Sequence, residues 1–216
     1  MNLKKELFLI LKPKKIFQCL LIAVIPAILF YVISLNILTL QGYQTREIIK
    51  ESADLTDSSS FLGFLSNIGI WLWISSASIC FFTITKNKSL IDKGQKKLLL
   101  LTGLFSMLLA IDDFFMIHDR YISQYICYAV YALLTFTILI GNYKTILKTD
   151  AFAFFLAGFF LALSVFIDII QSKIPFNHHK VQVFEEGFKF IGIATWLYFN
   201  INTASYDSKE LKSNTL

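Results

Sequence analysis

The chain has 216 residues, of which 56% are hydrophobic and only 16% charged, and a formal net charge of +5. Its mean hydropathy is +0.61. So much apolar surface cannot be hidden in a single soluble core of this size, so the composition excludes an ordinary water-soluble domain and specifies an integral membrane protein. The cations fall where topology and lipid headgroups account for them, and no nucleic-acid partner is needed.

In chain order, residues 1–15 (MNLKKELFLILKPKK) form a cytoplasmic or interfacial segment suited to a short amphipathic helix that stops at Pro13. The first apolar run, about 16–39, is too long for a removed signal peptide and lacks a small-residue cleavage site. It reads as a retained anchor, kinked at Pro26, where one backbone donor is lost. A polar loop over about 40–60 follows, with Asp57 and Ser58 read as a helix N-cap and the loop as a lid. Further runs at about 61–85, 98–118, 122–142, 151–171 and 182–202 each approach the length that crosses a bilayer. The expected fold is all-α, a six-helix transmembrane bundle over 16–202 with a tail at 203–216. Cys19, Cys80 and Cys127 sit singly on separate runs, which suggests neither disulfides nor a thiolate metal site.

Placing the N-terminus in the cytoplasm puts fourteen lysines on the inside, from Lys4 to Lys15, Lys86 to Lys97, Lys144 with Lys148, and Lys209 with Lys212. Only Arg46, Lys50, Arg120, Lys173 and Lys180 fall outside, so both termini are expected to be cytoplasmic. This orientation brings the unusual polar residues into one outer layer. Span 3 ends in Asp112, Asp113, His118 and Asp119. Span 5 ends near Asp168, and span 6 begins after His178 and His179 with Glu185, Glu186 and Lys189. Asn67, Tyr121, Gln124, Tyr125 and Tyr128 lie at the same level.

Asp112 and Asp113 stand out, because an ionised carboxylate within a span costs roughly 3 kcal/mol and is normally partnered. At 1.5 Å per residue, Asp112 and Lys189 both lie roughly 9–10 Å below the outer boundary, close enough to pair. On a straight helix His118 points about 120° away from Asp112, so the two can share a ligand only if the end of span 3 unwinds. Glu185 also stands four residues before Lys189, a spacing that stabilises a helix without any further role. His178 and His179 follow Pro175 in a loop and read as surface histidines. Ser75, Ser76 and Ser78 read as close-packing residues, and Trp71, Trp73 and Trp196 as packing or interface anchors.

The segments DDFFMIHD (Asp112, Asp113, His118, Asp119) and EEGFKFIG (Glu185, Glu186, Gly187, Lys189, Gly192) resemble a group of uncharacterised bacterial multi-pass membrane proteins. Their pattern is D-E-x-x-x-x-H-E late in one span and E-E-G-x-E-x-x-G in a later one. The resemblance implies a bacterial cytoplasmic membrane and no particular activity. Lys189 stands where that pattern has an acid, which favours an ion pair over a purely carboxylate metal site. The acidic pair followed by Phe-Phe-Met-Ile is also similar to the aspartate segment of the ceramidase-like membrane hydrolases. That family's three helical histidine ligands have no counterparts here.

Three functions follow as expectations. In the first, a metal-dependent hydrolase or lipid-modifying enzyme, Asp112, His118 and Glu186 hold a divalent Zn, Fe or Mn ion, and Asp113 or Glu185 takes the proton of the bound water. Its substrate is lipid-like, and its site, with Asp168 and Lys189 nearby, faces the non-cytoplasmic side. The second is a cation- or proton-binding carrier or sensor, in which the acids and Lys189 titrate as a relay. The third is an accessory subunit of a membrane complex, in which the charged layer fixes helix packing beside a protein partner.

Overall fold

The structure is a computed structural model that describes residues 25–45, 56–59, 61, 63–86, 91–171 and 178–206, without the side chains of 25–27, 30, 31, 34, 35, 171 and 178–180. Among these residues every regular element is a helix: α1 Ile25–Leu40, α2 Phe64–Lys86, α3 Lys93–Phe115, α4 Ile117–Arg120, α5 Gln124–Lys148, α6 Ala151–Gln171 and α7 His178–Ser205. The chain divides into two compact units, Met1–Leu62 and Gly63–Leu216.

In the first unit α1 closes at Gly42, whose φ of +97° only glycine adopts freely. The N–H groups of Gln41 and Tyr43 bond back to the carbonyls of Ile37 and Leu38. The expected N-cap at Asp57 and Ser58 does not form, since the next helix begins only at Phe64. Asp57 instead adopts a positive φ of 50°, and the Ser58 hydroxyl bonds back to the Thr56 carbonyl at 3.4 Å. The segment 1–15, the start of the first span and most of the expected lid lie outside the described residues.

In the second unit, α2, α3, α5 and α6 are long and apolar enough to cross a membrane. The 28-residue α7 carries Glu185, Glu186 and Lys189 in its first half. It packs along α6 and against α2, while α2 packs along α3 and α3 against α5. Gly103 and Gly192 permit two of these close approaches. A Cβ on Gly192 would lie 2.8 Å from Leu161 Cγ on α6, and one on Gly103 would lie 2.9 Å from Cys80 Cβ on α2. The core centres on Trp196, which makes edge or tilted contacts with Phe105, Phe154 and Phe199 at ring separations of 5.6, 5.6 and 5.7 Å. Phe154 is buried, while Phe152, Phe155 and Phe159 of the same helix point outward, so its many phenylalanines both pack the core and cover the exterior. The tryptophans divide similarly, with Trp71 exposed and Trp73 and Trp196 buried.

Halfway along the bundle a neutral polar chain crosses three helices. Trp196 Nε1 donates to Ser106 Oγ at 2.9 Å, Ser106 Oγ donates to Ser76 Oγ at 3.3 Å, and Asn200 Nδ2 donates to Ser76 Oγ at 2.7 Å. Cys80 Sγ donates to Asn200 Oδ1 at 3.3 Å. Each buried nitrogen and oxygen of these side chains has at least one partner, as a dry interior requires. At one end of the bundle Asp92 caps α3 by accepting from the Gln95 N–H at 2.7 Å. Gln95 Nε2 then donates to the carbonyls of Thr203 and Tyr206, closing the last turn of α7.

Candidate functional site

The opposite end of the bundle holds Asp112, Asp113, His118 and Lys189. Helix α3 stops at Phe115 because Met116 takes a left-handed conformation, φ 52° and ψ 45°, and returns its N–H to the Asp112 carbonyl. The chain then restarts as the single turn α4, which swings His118 back onto the helix it has just left. His118 donates twice to the buried Asp112 carboxylate, from its backbone N–H to Oδ1 at 2.9 Å and through Nδ1 at 2.6 Å to Oδ2. The break in α3 removes the 120° divergence expected of a straight helix.

Asp113, one residue on, faces a different neighbour. Its Oδ1 accepts from Lys189 Nζ of α7 at 2.7 Å and its Oδ2 from Trp73 Nε1 of α2 at 3.2 Å. The carboxylate therefore ties three helices together. Lys189 pairs with Asp113 and not with Asp112, as equal depth alone would allow. It does not form the helix-stabilising pair with Glu185 either. On α5, Tyr128 donates to Asp168 of α6 at 2.7 Å, and Tyr131 faces Asp112.

Ligand atoms of Asp112, Asp113 and His118 lie within 4.8 Å of one another. Glu186 is outside this cluster. It lines a cleft of about 620 Å³ between α2 and α7, together with Asp113, Lys189, Leu65, Gly69, Val183, Phe190 and Ile193. That volume falls within the ~300–1,000 Å³ of small-molecule sites. Asp113 belongs to both features, so the cluster opens on the cleft. Glu185 is half-buried and does not line the cleft. The side chains of His178 and His179 lie outside the described residues.

The model of one family, a domain of unknown function designated DUF8692, matches residues 16–203. The chain belongs to the DUF8692 family. The matched stretch contains every residue of the candidate site. No curated protein and no solved structure matches the chain.

The charges of this DUF8692 site are arranged in pairs. The hydrogen bond that His118 donates to Asp112 raises its pKa above the ordinary range, against the opposing effect of burial. Asp119 adds to this from the exposed side, with its Oδ1 3.5 Å from His118 Nε2. Trp73 and Tyr131 are partners that sequence reasoning missed. Their signal was chemical, since a buried indole N–H or phenol requires an acceptor and two carboxylates lie at the same level.

Proposed function

We propose that this chain is a metal-dependent hydrolase or lipid-modifying enzyme of a bacterial cytoplasmic membrane. In this reading it has six spans, both termini are cytoplasmic, and the site opens on the non-cytoplasmic leaflet. The observation that carries the proposal is the convergence of two carboxylates and an imidazole within 4.8 Å at the wall of a cleft. Such a mixed donor set suits Zn, Fe or Mn better than Mg or Ca. Asp112, Asp113 and His118 are the ligands. Holding an ion would require the proton between Asp112 and His118 to leave, and each oxygen of Asp113 keeps a lone pair beyond its present bond. Glu186, expected as a ligand from sequence, is reassigned to the cleft wall. Glu185, expected from sequence as one of two proton acceptors, would take the proton of an attacking water once Asp113 serves as a ligand. A bound ion would supply Lewis acidity toward a water that attacks an ester or amide carbon, and Glu185 would pass the proton it holds to the departing oxygen or nitrogen.

Elemental mass spectrometry of detergent-purified protein, prepared without chelator, tests this reading. About one Zn, Fe or Mn per chain is expected, with none in Asp112→Asn or His118→Ala. A folded, metal-free wild type would overturn it. Weight would then pass to a proton- or cation-binding relay, a reading that the close Asp113–Lys189 pair at 2.7 Å already favours.

A further inference from the structure

The cleft between α2 and α7 is unequal in charge and polarity. Leu65, Gly69, Phe190 and Ile193 give it an apolar body, and its charged residues are Asp113, Glu186 and Lys189. Asp113 and Lys189 neutralise each other at 2.7 Å. Glu186 belongs neither to that pair nor to the cluster of ligand atoms, and its side chain is exposed. Among the charged side chains of the lining one negative charge is therefore left over, beside the polar Ser66 and Gln182 and the apolar body.

We infer that the cleft receives the hydrocarbon chain of an amphiphile whose protonated amine headgroup is bound by Glu186. This names the substrate class of the hydrolase proposed above and rests on that reading. Glu186 and Asp113 line the same cleft, so an ester or amide close to an amine held at Glu186 would face the wall that carries the ligand cluster. An anionic headgroup would meet Glu186 unfavourably, and the one cation of the lining, Lys189, is already bonded to Asp113. The slot also has room to be blocked cleanly, because a Cβ on Gly187 meets nothing within 4 Å.

The test is native mass spectrometry of the full chain released from maltoside micelles, titrated with dodecylamine, dodecanol and dodecyl phosphate. Metal content is measured on the same samples. One equivalent of dodecylamine is expected to bind at least tenfold more tightly than either competitor, a difference of about 1.4 kcal/mol. Glu186→Gln removes that preference while dodecanol still binds, and Gly187→Leu abolishes binding of all three without unfolding the protein. Equal binding of the three probes, preference for dodecyl phosphate, absence of binding, or selectivity that survives Glu186→Gln would each overturn the inference. The two proposals fail separately. Metal without amine selectivity overturns only the headgroup assignment, and amine selectivity without metal overturns only the hydrolase.

Discussion

The bundle has two polar regions that solve the same problem in opposite ways. The mid-bundle chain of Trp196, Ser106, Ser76, Asn200 and Cys80 is neutral, buried and closed on itself. The end layer of Asp112, Asp113, His118 and Lys189 is charged, part-buried and open to a cleft. A saturated neutral network fixes helix register and leaves nothing over for a ligand. A charged layer with spare lone pairs beside a cavity has capacity beyond architecture. The contrast shows that polarity inside a bundle signals chemistry only where its hydrogen-bonding is not used up.

The strongest way to break this comparison is to remove one charge. Lys189→Met leaves the Asp113 carboxylate with only Trp73 and is expected to destabilise the protein by about 3 kcal/mol, as for other buried pairs that lose one member. Chemical denaturation in detergent measures the loss, and adding Asp113→Asn to Lys189→Met should restore at least half of it. No recovery in the double variant would mean that Lys189 acts through packing alone. Asn200→Ala comes next, at about 2 kcal/mol, because it strips partners from Ser76 and Cys80. Its metal content should equal wild type, and a loss of metal would show that the two regions are not separable. The smallest effect is expected from pH. His118 has a folded pKa above its unfolded value of about 6.5, so its bond to Asp112 stabilises the protein fully below that pH and is lost as pH rises through the folded value. The melting temperature of metal-free wild type should fall across that interval, whereas that of His118→Gln should not.

The helices of the second unit were legible because long apolar runs bounded by lysines and turn residues leave few alternatives. The level of the polar layer was legible too, since depth follows from counting residues along a helix. Partner choice was not. Asp112 and Asp113 lie at nearly the same depth but point about 100° apart, and only the packing of α7 against α2 decides which one meets Lys189. Ser106 and Asn200 passed unnoticed because single small polar residues in an apolar run carry no periodic signal. The early start of α7 at His178 and the extension of α5 to Lys148 moved boundaries by several residues without moving the site.

The left-handed turn at Met116 makes the interval between Asp112 and His118 a fixed length. Closure of that pair needs the helix to stop at one place and the next turn to begin immediately. The residues just before the break can vary in kind, since Phe114 and Phe115 are 62% and 56% exposed. Their number cannot, because one residue inserted or deleted between 113 and 117 would turn His118 about 100° away from its carboxylate. Sequence drift in this segment is therefore expected as substitution and not as gaps, and a relative with a gap there would have lost the site whatever its residues.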